Sequence, residues 1–129
     1  MTLTFHALPY ETVAAWRGGA PDDYGADVER VISSEAGNPC RSCLEDIEAG
    51  EPVLLLAHRP FPAPQPYAET GPIFVHAECA HREAGAAMPP VVASRREFLV
   101  KGYGHDDRIA YVDLRSAVNN CFICRVTAG

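Results

Sequence analysis
Lysine is almost absent from this sequence: of 11 basic residues only Lys101 is not an arginine, against 17 carboxylates and a formal net charge of −6. Binding to a phosphate backbone draws on clustered cations that release counterions. The densest basic group here is the pair Arg95-Arg96, so nucleic acid is not an expected partner. Long apolar runs are missing too. The longest, residues 53–57, falls far below the roughly 20 residues that a helix needs to span a bilayer. The first residues lack a positive start followed by an apolar stretch, so neither an export signal nor a membrane partner is expected. Hydrolase nucleophile elbows, phosphate-cradling glycine loops and dinucleotide fingerprints are absent as well, and Gly102-Tyr-Gly104 reads as a turn or strand irregularity. These absences point to the cytoplasm, where thiols stay reduced and paired cysteines mean metal or redox chemistry more often than disulfides.

What is present is the composition of an ordered globular chain. With 129 residues and 47% hydrophobic side chains it has enough material for one domain, residues 1–129, with its own core. Alternating or continuous apolar runs predict strands at 3–8, 28–32, 52–58, 73–76, 98–103, 108–114 and 121–126. Good helix formers predict short helices at 11–17, closed by Gly18-Gly19, and at 78–87. Between 59 and 72 the five prolines Pro60, Pro62, Pro64, Pro66 and Pro72 stiffen an extended loop that carries Phe61 and Tyr67. The expected fold class is α+β, a single domain with a mixed, mainly antiparallel sheet and short helices. An exposed edge strand of such a sheet is compatible with a homodimer.

The cysteines and histidines are not scattered. Cys40-Arg-Ser-Cys43 and His76-Ala-Glu-Cys79 are two clips, each with ligand-type residues three positions apart. Two such clips supply the four nitrogen and sulfur ligands of a closed tetrahedral zinc site, and Pro39 and Ser42 suit the turn that the first one needs. The expected metal ligands are therefore Cys40, Cys43, His76 and Cys79, and the expected cofactor is a structural zinc. Leu44 occupies the place where a zinc knuckle often has glycine. The plain alternative is that these are small buried thiols beside a core histidine. A second pair, Cys121-Phe-Ile-Cys124, offers the alternative set Cys40, Cys43, Cys121 and Cys124, although residues three apart on a regular strand face opposite ways. His81 is a lesser substitute for His76, and Glu78 is the one carboxylate placed to act as base if the metal were catalytic.

The blocks Asn38-Pro-Cys-Arg-Ser-Cys-Leu44, Gly50-Glu51-Pro-Val-Leu-Leu-Leu56 and Pro66-Tyr-Ala-Glu-Thr-Gly-Pro-Ile-Phe-Val-His76 resemble the bacterial family catalogued as domain of unknown function 1203. Lys101-Gly-Tyr103, Asp107-Arg-Ile109 and Cys121-Phe-Ile-Cys-Arg-Val126 are similar to that family's carboxyl-terminal half. The resemblance implies one folded unit over nearly the whole chain. It transfers no activity, substrate or catalytic residue.

Two function classes follow. The first is a non-enzymatic zinc-binding domain that serves a protein or small-molecule partner. The second is an enzyme or thiol oxidoreductase, using Cys40 and Cys43 or a pocket near Arg41, Tyr67 and His76, with Glu69 and Arg115 as further members. The redox reading needs Cys40 at a helix amino terminus, and the segment before Gly50 is short for that.

Overall fold
A computed structural model describes residues 3–60, 71–80, 108–115 and 121–128. The chain enters through β1 (Leu3–His6), whose Leu3 and Phe5 point inward while His6 lies on the other face. Pro9 starts α1 (Tyr10–Arg17), which buries Val13 and Trp16 and stops at Gly18 and Gly19, the latter at φ 101°. That positive φ suits a residue without a Cβ.

Two three-stranded antiparallel sheets follow from the strands. In the first, β2 (Glu29–Ile32), β5 (Pro52–His58) and β6 (Gly71–His76) lie in the order β2-β5-β6. Leu54 opposite Val75 and Leu56 opposite Ile73 bury one face, while Val53 opposite His76 brings the other face inward at one end. In the second sheet the order is β1-β8-β7, with β7 (Val112–Arg115) and β8 (Phe122–Ala128). Phe5 aligns with Val126 and Val126 with Val112, so these residues share a face. A bulge between Leu114 and Arg115 turns Ile123 and Cys124 into the core of this sheet and leaves Phe122 to the core of the other. The third sheet is a minimal hairpin of β3 (Asn38–Pro39) and β4 (Asp46–Ile47), and its loop carries Cys40-Arg-Ser-Cys43.

The expected α+β class is therefore corrected. The described residues form three small antiparallel sheets with no parallel pair, and their single helix has 8 residues. The reason is local. The chain after β6 is held at Cys79 and is irregular from Ala77 to Ala80, so the predicted helix does not begin there, and the rest of 81–87 lies outside the described residues. The predicted strand at 98–103 lies outside them as well. The first clip is presented by its own two-stranded hairpin, which divides what was expected to be one sheet.

The loop before β2 is tied by Asp22. Its Oδ1 accepts from the backbone N–H groups of Tyr24 and Ala26 at 2.9 and 3.0 Å, and its Oδ2 from that of Ala57 in β5 at 3.2 Å. Burial raises the Asp22 carboxyl, but the three N–H donors outweigh it and hold the group below its usual value. The charge therefore stabilises the fold above the carboxylate range, and this contribution is lost as pH falls through the depressed value. Asp22→Ala is expected to destabilise the chain by about 1–3 kcal/mol at pH 7. In urea titrations the gap between the two proteins should close as the pH drops below 3.8.

Candidate metal centre
Sequence-distant elements converge at one end of the β2-β5-β6 sheet. The first clip is built by backbone hydrogen bonds: the Leu44 N–H donates to the Cys40 carbonyl at 2.7 Å and the Cys40 N–H to that of Glu45 at 2.9 Å. The backbone N–H groups of Cys43 and Glu45 meet the sulfurs of Cys40 and Cys43. To close this loop the chain needs a left-handed residue, and Leu44 supplies it at φ 60°, the only non-glycine positive φ among the described residues. That conformation costs an ordinary side chain about 1–2 kcal/mol. It is held because the Leu44 side chain is fully buried in the core of the β1-β8-β7 sheet, whereas Cys40 and Cys43 belong to the other core.

Arg41, between the two cysteines, is equally fixed. Arg41 donates from Nε to the Phe122 carbonyl at 2.8 Å and from Nη1 to that of Pro39 at 2.6 Å, and its own N–H meets the Phe74 carbonyl at 3.2 Å. Burial pulls its guanidinium down to about 10, so it stays charged at neutral pH. Ser42 Oγ is buried without a hydrogen-bond partner among the described residues.

Four candidate ligand atoms, from Cys40, Cys43, His76 and Cys79, all lie within 4.8 Å of one another. The sulfurs of Cys40 and Cys79 are 3.9 Å apart, and Cys43 Sγ is 3.4 Å from His76 Nδ1. The surroundings suit a cluster of anionic ligands. The His76 N–H donates to Cys40 Sγ at 3.2 Å. Arg17, in the last turn of α1, donates to the His76 carbonyl at 3.0 and 3.2 Å and to Cys79 Sγ at 3.2 Å. Glu51 Oε2 lies 3.0 Å from His76 Nε2 and is itself oriented by the Glu48 N–H at 2.7 Å. With the proton on Nε2 facing that carboxylate, Nδ1 presents its lone pair to the three sulfurs.

The protons distribute unevenly over the thiols. Contacts from Cys40 and Cys43, helped by Arg17, hold Cys79 far below the usual thiol range. Cys43 is pushed up by Cys40, by Cys79 and by burial. Cys40 is lowered by Cys43, but Cys79 and burial more than reverse this and leave it raised. Glu51 is lowered by the Glu48 N–H and then by His76.

The remaining sequence candidates separate from this cluster. Cys121 and Cys124 are buried, Cys124 in the core of the β1-β8-β7 sheet, and neither belongs to the four-residue group. All five cysteines are free of disulfides. Glu78 is exposed, as a solvated charge would be. No helix follows Cys40, which removes the dipole that a redox clip requires. Arg41 donates to two backbone carbonyls and Arg115 lies in β7, while Tyr67, Glu69 and His81 lie outside the described residues. Sequence reasoning missed Arg17 and Glu51. Glu51 was within reach of register arguments, because Val53 faces His76 and Glu51 precedes it by two residues; Arg17 carried no local signal.

A family model described as Protein of unknown function (DUF1203) matches residues 37–110, a span that contains both clips. The chain belongs to this family. No curated protein and no solved structure matches it. Within this DUF1203 chain, the matched region starts at Gly37, one residue before the hairpin that presents the first clip.

Substitution at position 44 tests the strained turn. Leu44→Ala keeps the strain and loses the burial, at a cost of about 3–5 kcal/mol, whereas Leu44→Gly loses the burial but relieves the strain. Glycine is therefore expected to be the more stable of the two by about 1 kcal/mol, the reverse of the usual order, as read from denaturation midpoints.

Proposed function
We propose that this chain is a cytoplasmic, non-enzymatic domain that holds one structural zinc ion through Cys40, Cys43, Cys79 and Nδ1 of His76. The observation that supports this is the spacing of the four ligand atoms. Zinc bound tetrahedrally at about 2.3 Å from sulfur and about 2.0–2.1 Å from nitrogen separates two sulfurs by roughly 3.8 Å and a sulfur from a nitrogen by roughly 3.6 Å. Two of the pairs here, Cys40 Sγ with Cys79 Sγ and Cys43 Sγ with His76 Nδ1, stand at 3.9 and 3.4 Å, and every pair lies within 4.8 Å.

The charge balance agrees. Three thiolates, a neutral imidazole and a divalent ion sum to one negative charge, and the Arg17 guanidinium at 3.2 Å from Cys79 Sγ offsets it. The donor set is rich in sulfur and has four protein ligands, which leaves no coordination position for a water and favours a structural over a hydrolytic role. What such an ion does here is join three pieces of chain, the hairpin loop, the end of β6 and, through Arg17, α1. A protein or small-molecule partner rather than nucleic acid fits the net charge of −6.

Elemental analysis of the purified chain is expected to give one zinc per molecule. Cys79→Ser should lose the bound metal and, because an ion that binds only the folded state stabilises it by mass action, should lower the thermal midpoint by more than about 10 °C. A metal-free native chain with a midpoint indifferent to chelator would overturn the proposal. Glu51→Ala leaves all four ligands in place and is expected to weaken zinc about 10–100-fold in competition with a chromophoric chelator.

A further inference from the structure
The face of the β1-β8-β7 sheet that turns away from Phe5 and Val126 sets His6, Arg125 and Asp113 side by side in cross-strand register. Over it opens a cleft of about 480 Å³, lined among others by His6, Pro9, Thr12, His58, Phe122 and Arg125. This is the size of a small-molecule site, roughly 300–1,000 Å³. None of the four candidate metal ligands lines it.

Its polar groups are not equivalent. His6 Nε2 is bonded to Thr127 Oγ1 at 2.8 Å. Arg125 directs Nε and Nη2 to the two oxygens of Asp113 at 2.8 and 3.1 Å and lies 3.8 Å over the ring of Tyr111, so its charge is matched in place. His58 differs. Its Nδ1 lies 2.7 Å from Oδ2 of Asp23, a carboxylate that does not line the cleft and that also accepts from the Arg59 N–H at 2.8 Å. This pairing puts the imidazole proton on Nδ1 and leaves Nε2 as an acceptor. Among the described residues Nε2 has no hydrogen-bond partner, and although the residue as a whole is only 8% exposed, this atom is not sealed from solvent. Trp16 and Phe122 hold the ring edge-on at 6.0 and 5.2 Å. Burial keeps the imidazole below its usual range against the pull of Asp23 and Asp113, and Arg41 acts in the same direction as burial, so the acceptor form is the one present at neutral pH.

We propose that this cleft binds a small, planar, uncharged molecule whose single hydrogen-bond donor, a phenolic hydroxyl or a ring N–H, is received by Nε2 of His58. The walls are mainly apolar, with Pro9, Pro60 and Phe122 among them, which favours a flat apolar body. An anion is disfavoured because Asp113 already neutralises Arg125 and Asp23 stands behind His58. The donor matters because a ligand that covers Nε2 without donating to it cuts the acceptor off from water and leaves it unpaired, whereas a donor satisfies it.

The test uses phenol, toluene and benzoate as probes on the full chain at neutral pH, with histidine labelled with nitrogen-15. Phenol is expected to bind in the millimolar range and to shift the Nε2 resonance of His58. Toluene should bind at least about tenfold more weakly, and benzoate should leave that resonance in place. In His58→Phe the preference for phenol over toluene should vanish while the metal content is unchanged, which keeps the result independent of the zinc reading. Should that variant fail to fold, the native chain alone decides. Equal affinity for phenol and toluene, or an unmoved Nε2 resonance at saturating phenol, overturns the proposal.

Discussion
The structure depends on one meeting of chain segments: the hairpin loop at 40–43 against the end of β6 at 76–79. The antiparallel register of β5 and β6, with Val53 opposite His76, fixes where His76 ends up. The hairpin is then docked by the Arg41 N–H on Phe74 and by the His76 N–H on Cys40 Sγ, so backbone groups of each segment serve the other. Side chains with opposite burial preferences are thereby reconciled. Three sulfurs and an imidazole sit at an apolar boundary, and their polar demands are met by N–H groups, one guanidinium and one carboxylate.

The same loop links the two cores. Cys40 and Cys43 pack with the β2-β5-β6 sheet, and Leu44, the next residue, packs with Phe5, Cys124 and Val126 of the other sheet. This turn sends Cys43 and Leu44 into two different cores, and it does so with the left-handed φ of 60° at Leu44. The strain is local and modest, about 1–2 kcal/mol, while burying a leucine contributes about as much or more. A glycine there would relax the turn and leave the second core unfilled.

Spacing made the clips legible, because ligand types three residues apart need no knowledge of the rest of the chain. The strands at 52–58 and 73–76 and the helix ending at Gly18 were readable for the same reason, since each is encoded within its own window. The division into three sheets was not, because pairing partners are chosen by loops and by a bulge that no periodicity reports. Leu44 counted as a departure from the zinc-knuckle pattern. In the fold it occupies the left-handed position itself, and the compensation comes from a sheet formed by the two ends of the chain. Arg17 was invisible for a related reason: it reaches Cys79 from 62 residues away, and only the docking of α1 brings it there.

Membership in the DUF1203 family places both clips inside the matched region and leaves the chemistry to be read from the side chains. Among the described residues no helix is long and apolar enough to cross a membrane. The proposed zinc site stands on its coordination sphere. X-ray absorption at the zinc edge of the purified chain measures it most directly. Three sulfur scatterers near 2.3 Å and one nitrogen near 2.0–2.1 Å are expected. A shell of four sulfurs, or one dominated by oxygen and nitrogen, would contradict the assignment of Cys40, Cys43, His76 and Cys79.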